Sequence, residues 1–256
     1  MEWIDTHTHT YDEAFDGCED EIVAHALAAG VGVQLQADID SGVRERMFAL
    51  AERHPGTVRP MLGLYPGSVD ENWRREIDAL EAWRGRGIVA VGEIGLDYHY
   101  GTEFRAQQQE AFRIQLELAA RWDLPVNIHL RDATEDFFRI LDDCRHLPLR
   151  GNLHAFSGSA ETFRRLQRSG GDWYVGIGGV LTFKKAAIAE TVKDIPLDRI
   201  LLETDAPYLT PAPHRGERNE SAYIPLIGAF LAQLKGISVE EAAAATTANA
   251  KRLFSI

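Results

Sequence analysis

The chain has two cysteines among its 256 residues, Cys18 and Cys144. Two thiols so far apart give no disulfide framework. Free thiols suit a reducing compartment, so a cytoplasmic setting is expected. No apolar run reaches the ~18 residues a membrane helix needs, and no membrane association is expected. The acidic start runs straight into a histidine pair, unlike the basic opening of a signal peptide. Positive charge is scarce: 27 Lys+Arg stand against 39 Asp+Glu, a net charge of −12. That excludes broad, sequence-independent wrapping of nucleic acid, which needs a basic face. It does not exclude a nucleic-acid end entering a site whose metals supply local positive charge. No Gly-x-Gly-x-x-Gly follows an early strand. The glycines of Gly176-Ile177-Gly178-Gly179 come late and lack the dinucleotide spacing. Linkers and low-complexity segments are also missing, so residues 1–256 read as one domain.

What is present is an alternation of short β-like runs with helical segments. The runs are Trp3 to Thr6, Val31 to Gln36, Val58 to Leu64, Ile88 to Ile94, Pro125 to Leu130, Gly151 to Phe156, Trp173 to Ile177 and Ile200 to Asp205. Helical spacing marks Glu19 to Ala29, Val43 to Arg53, Asn72 to Arg84, Phe104 to Trp122, Asp132 to Cys144 and Ala160 to Arg168. A helix with Lys184 and Lys185 near its start is expected after the seventh run. Two more, Tyr223 to Leu234 and Val239 to Phe254, form the tail, with Ser159 and Ser238 as N-caps of their helices. Strand starts fall ~25–35 residues apart, the length of a βα unit. Eight such units predict an α/β fold, a (β/α)8 TIM barrel. A doubly wound sheet is the alternative.

Chemistry gathers at the ends of these runs, where a barrel places its active site. His7 and His9 are two apart, so on a strand both imidazoles leave one face, with Asp5 behind them. Alone, a His-x-His pair fits a plain strand end equally well. Glu93 follows Val89 and Val91, where burying an unpaired acid is costly and a metal would resolve the cost. His129, His154 and Asp205 sit late in the fifth, sixth and eighth runs. Six such groups exceed what one tetrahedral zinc needs. They suit two divalent cations bridged by Glu93, with His7, His9 and Asp205 at one and His129 and His154 at the other. Mixed imidazole and carboxylate does not choose among Mg, Mn and Zn. Paired metals are a device for hydrolysis, with Asp205 and Glu93 as the catalytic carboxylates and Asp205 placed to take a proton from water. Arg131 is placed to hold a phosphate oxygen. Lys184, Arg215 and Arg218 fall in loops after strands 7 and 8, where barrel phosphate sites form, although solvated surface cations would look the same. Asp97 and Tyr98 would line the pocket, and Glu203 shares a face with Asp205.

These motifs resemble the TatD-like metal-dependent hydrolases almost end to end. The resemblance covers Asp5-Thr6-His7-Thr8-His9, Gly92-Glu93-Ile94-Gly95-Leu96-Asp97-Tyr98, His129-x-Arg131, His154-Ala155-Phe156-Ser157-Gly158, Gly178-Gly179, Glu203-Thr204-Asp205-Ala206-Pro207-Tyr208-Leu209, Arg215-Gly216 and Asn219. It implies an amidohydrolase-like barrel with metal ligands at His7, His9, Glu93, His129, His154 and Asp205. It also implies DNA hydrolysis, often exonucleolytic, acting on single strands or ends. Two positions depart from the family pattern. Tyr65 stands before Pro66 where the family commonly has His-Pro, and Glu217 follows Gly216 where lysine is frequent. Tyr65 can donate a hydrogen bond to substrate but cannot become cationic. These departures and the acidic surface keep a second expectation open, an amide, ester or lactone hydrolase acting on a small metabolite with the same metals. A non-catalytic binding barrel is disfavoured by the complete ligand set, and no obligate protein partner is implied.

Overall fold

The computed structural model describes residues 1–256 and contains eight parallel strands in the order β1 to β8. They are β1 (Trp3–Thr8), β2 (Val31–Gln36), β3 (Val58–Leu62), β4 (Ala90–Asp97), β5 (Val126–Arg131), β6 (Arg150–Leu153), β7 (Asp172–Ile177) and β8 (Ile200–Leu202). Helices α1 (Glu19–Ala28), α2 (Ser41–Arg53), α3 (Trp73–Ala79), α4 (Arg105–Trp122), α5 (Thr134–Asp143), α6 (Ala160–Arg168) and α7 (Ile188–Asp194) connect successive strands. α8 (Ile224–Lys235) and α9 (Val239–Phe254) follow β8. The chain is a (β/α)8 TIM barrel. β1 and β8 meet where Thr6 Oγ1 donates to the Leu202 carbonyl (3.0 Å) and the Asp205 amide donates to the His7 carbonyl (2.9 Å).

Local chemistry sets the helix ends. Ser238 caps α9 by accepting from the Glu241 amide, while Glu241 accepts from the Ser238 amide, a reciprocal capping box. Ser159 caps α6 through the Thr162 amide, and Asp40 caps α2 through the Gly42 amide. α8 stops at Gly236, whose φ of +66° costs a residue without Cβ nothing. The early strand residues Ile4, Val89, Ala90, Tyr174 and Leu201 pack with Ala250, Leu253 and Phe254 of α9. α9 thereby closes the N-terminal mouth of the barrel and leaves the C-terminal mouth for function. Burying the Leu253 and Phe254 side chains contributes about 1.5–3 kcal/mol each.

Several boundaries differ from the sequence expectation. β4 runs on to Asp97, so Glu93 lies inside the strand rather than near its end. β8 stops at Leu202, so Glu203, Thr204 and Asp205 belong to the loop beyond it; Asp205 takes a φ of +56°, outside the strand region. The helix expected to start near Lys184 and Lys185 starts at Ile188, after a 3-10 turn over Gly179–Thr182. Cations at a helix N-terminus oppose the macrodipole, and the observed first turn carries Glu190 instead. α3 ends at Ala79 and gives way to a 3-10 turn over Leu80–Ala82, ahead of the glycines at 85 and 87.

Candidate metal centre and active-site cleft

The barrel brings the six predicted ligands together at its C-terminal mouth. His7, from β1, and His9, just beyond it, direct their Nε2 atoms at each other across 3.1 Å. Glu93 Oε2 lies 3.5 Å from His7 Nε2 and 3.8 Å from His9 Nε2. Asp205 Oδ1 lies 3.5 and 3.4 Å from the same two nitrogens. On the other side, Glu93 Oε1 is 2.9 Å from both His129 Nδ1 and His154 Nε2, which are 3.1 Å apart. One carboxylate therefore turns one oxygen to each of two donor groups. The approach of β4 to β5 that allows this depends on Gly95, where φ is +139° and a Cβ would strike the His129 backbone.

The outer nitrogens of the rings decide what the inner ones are. His7 Nδ1 lies 2.8 Å from Asn127 Oδ1, while the Asn127 amide nitrogen donates to Asn152. His9 Nδ1 lies 2.9 Å from the Tyr11 hydroxyl and 3.2 Å from the Ala37 carbonyl, which only accepts. His129 Nε2 lies 2.8 Å from Asp97 Oδ2. His154 Nδ1 faces Glu203 Oε1 at 3.7 Å, while that oxygen also accepts from the Ala155 amide. With each outer nitrogen turned to an oxygen acceptor, a ring in its neutral form keeps its proton there and presents the lone pair of its inner nitrogen to the centre. Lone pairs 3.1 Å apart and carboxylate oxygens around them repel one another unless cations lie between. The residues present thus fit divalent metals: neutral imidazoles oriented by an outer partner, with carboxylates alongside.

With no cation between them, these groups draw protons instead. Burial alone would push the Glu93 carboxyl up, but His154 and His7 beside it hold it well below the usual carboxylate range. Burial would lower the His154 imidazole, and Glu93 and Glu203 raise it well above its ordinary value instead. Burial would likewise lower His129, but hydrogen bonds to Asp97 and Glu93 raise it. The cluster is a sink for positive charge.

Behind the histidines stands Asp5, fully buried. Its Oδ1 accepts from the amides of His7 (3.2 Å) and Thr204 (3.0 Å), and its Oδ2 from the hydroxyls of Thr204 (2.5 Å) and Ser221 (2.6 Å). Burial pushes this carboxyl up to about 7 against the pull of those donors. One side chain so ties β1, which carries His7, to the loop that carries Asp205.

A cleft of about 650 Å³ opens over the cluster, with His9, Glu93, His129, His154 and Asp205 in its floor. Arg131 and Tyr65 line it. The Tyr65 ring meets His129 edge-on at 5.1 Å, and its hydroxyl donates to Asp97 Oδ2 at 3.4 Å. Lys184, Arg215 and Arg218 do not line this cleft. Lys184 is exposed in the turn before α7, the Arg215 guanidinium lies 3.8 Å from the Phe183 ring centroid, and Arg218 donates to the Ala14 carbonyl and covers Phe15. Glu217 is taken up by His214, 2.9 Å away. Tyr100 and Tyr208, both exposed, form part of the wall and were not anticipated as contacts; a loop aromatic was the only signal for Tyr100, whereas Tyr208 stood within the motif that follows the eighth run. Asn127 and Tyr11, which orient two of the rings, were likewise missed.

The profile of the family described as TatD related DNase matches residues 4–255. The chain belongs to the TatD-related DNase family. Among its TatD relatives, the uncharacterized metal-dependent hydrolase YabD of Bacillus subtilis (strain 168) is 39% identical over 260 residues, spanning 99% of each chain. A protein named 3'-5' ssDNA/RNA exonuclease TatD, from Cronobacter sakazakii, is 37% identical over 248 residues, 94% of this chain and 93% of that one. The crystal structure of YJJV, a TatD homologue from Escherichia coli K12, superposes with a TM-score of 0.92 at 32% identity, covering 99% of this chain and 98% of that one. The protein is a metal-dependent hydrolase of the TatD family.

Proposed function

We propose that this TatD-family hydrolase is a deoxyribonuclease that cleaves DNA phosphodiester bonds at single-stranded ends, exonucleolytically, with two divalent cations (Mg, Mn or Zn). His7, His9, Glu93 and Asp205 would hold one cation and Glu93, His129 and His154 the other. The carrying observation is Glu93, whose two oxygens face two separate donor groups. When bound, such cations polarise a phosphoryl oxygen and acidify water. The chain's own residues supply the rest. Asp205, its side chain 17% exposed where that of Glu93 is 5%, is the carboxylate that reaches the cleft and takes the proton of the attacking water. Arg131 pairs with no carboxylate and presents its free N–H groups to a phosphate oxygen. Tyr100 and Tyr208 offer exposed faces on which a terminal base stacks. Tyr65 positions substrate by its hydroxyl. The exonuclease name carried by the Cronobacter relative supports the same substrate class.

The test is digestion of end-labelled single-stranded DNA with Mg, Mn or Zn, beside Glu93→Ala. A ladder that needs both metal and Glu93 supports phosphodiester hydrolysis, and its pattern gives the polarity. An intact substrate with metal-loaded wild type rejects it. The second reading, an amide, ester or lactone hydrolase on a small metabolite, is favoured by a cleft of about 650 Å³, a size that suits small ligands, and by the net charge of −12. An ester, lactone and amide panel under the same metals tests it.

A further inference from the structure

A second cavity of about 450 Å³ adjoins the metal cleft and shares its wall at Leu130, Arg131, His154, Ala155 and Ser157. Its far side is built from Thr134 at the start of α5, Thr162 in the first turn of α6, and His99. Asp132 also lines it, turned to His99 on the same wall, and the two acids that follow it are paired with arginines outside the cavity. Asp132 is 2.9 Å from His99, Glu135 is 2.8 Å from Arg165, and Asp136 is 2.6 Å from Arg105. Arg131, which opens onto both cavities, has no carboxylate partner; its one polar contact is Tyr100, 3.4 Å away, whose ring it also covers. No side chain caps α5, and the amides of residues 134 to 136 donate to nothing in the protein. The unpaired guanidinium, the Thr134 hydroxyl and the free amides, with Asp132 turned to His99, describe a seat for an anion.

We propose that this cavity is a second phosphate subsite, which holds the phosphate of the nucleotide next to the bond being cut. The proposal rests on the nuclease reading above and adds to it a minimum substrate: two phosphates, one over the metals and one between α5 and α6. Arg131 lies on the shared wall and so spans the two. A substrate with a single phosphodiester fills only the metal cleft.

The experiment compares metal-loaded wild type on a dinucleotide with one phosphodiester, the same dinucleotide bearing a terminal phosphate, and a trinucleotide. The expected result is a trinucleotide kcat/KM at least about tenfold above that of the plain dinucleotide, the size of one charge-assisted hydrogen bond. A matching gain with the terminally phosphorylated dinucleotide identifies a terminal phosphate as an equal occupant of the subsite. Thr134→Glu and Thr162→Glu put a negative charge into the cavity. Both place an acid in the first turn of a helix, where it is stabilising, so both should fold. Each should bring the trinucleotide-to-dinucleotide ratio close to one. Equal kcat/KM for all three substrates in wild type overturns the subsite and leaves the nuclease reading standing, as does a ratio that both variants preserve. Failure of wild type to cut any of them overturns both.

Discussion

Asp97 shows how much a single residue outside the ligand set controls. It accepts from His129 Nε2 at 2.8 Å and so fixes which nitrogen of that ring faces Glu93. Asp97→Asn can present its amide nitrogen in place of the acceptor, and the ring loses both its orientation and its basicity. The expected outcome is a 10–100-fold weaker metal affinity in the site of His129 and His154, measured by competition with a chelating dye. Unchanged affinity would remove Asp97 from that role. At this scale the six converging side chains were legible because each follows an apolar run and because His7 and His9 share a face two residues apart. The residues that aim the rings were not. Asn127 reaches His7 across 120 positions of sequence, and an asparagine inside a strand carries no local mark of that contact.

At the level of elements, Asp5 is the joint between β1 and the loop after β8. Removing it leaves the His7 and Thr204 amides and two hydroxyls without their acceptor in a sealed interior. Asp5→Ala should cost about 3 kcal/mol, a fall in Tm of roughly 6–12 °C by calorimetry, and should loosen the placement of His7 and Asp205 together. A Tm within about 2 °C of wild type would show that water replaces the carboxylate. Strand and helix identities follow from hydrophobic period, which Val31 to Gln36 and Arg105 to Trp122 display plainly. The boundaries are set by contacts the period does not carry. β8 ends early because the amide of Thr204 turns to Asp5 and that of Asp205 to the His7 carbonyl. The surroundings of Lys184 predict a helix there, whereas the start of α7 is decided by the charge its first turn tolerates.

The whole molecule is acidic, so on the nuclease reading contacts with a polyanion are confined to the mouth of the barrel. Binding of single-stranded DNA should therefore depend only weakly on salt. With two phosphates engaged, log K should fall against log[salt] with a slope of about −1 to −2, at roughly −0.7 per contact. A slope steeper than about −4 would mean that a wider surface takes part. The barrel itself was readable from the regular alternation of strands and helices, a property of the entire chain. The walls of the cleft were not, because Tyr100, Tyr208 and the cavity beside Arg131 are made by loops that come together only when the barrel closes.

The inner nitrogens that confront each other at 3.1 Å have a thermodynamic counterpart. A chain that folds with its donors pressed together holds part of its stability in reserve, to be released by whichever ion fills the gap. Melting temperature then becomes a gauge of the ion. At a hundred times its dissociation constant, a cation that binds only the folded chain adds about 2.7 kcal/mol, or roughly 5–11 °C. Stripping with a chelator should lower Tm by that order, and re-addition of Mg, Mn, Zn or Ca should rank the ions by preference with no substrate in the tube. A melting curve indifferent to all of them would mean that protons, not metals, relieve the crowding.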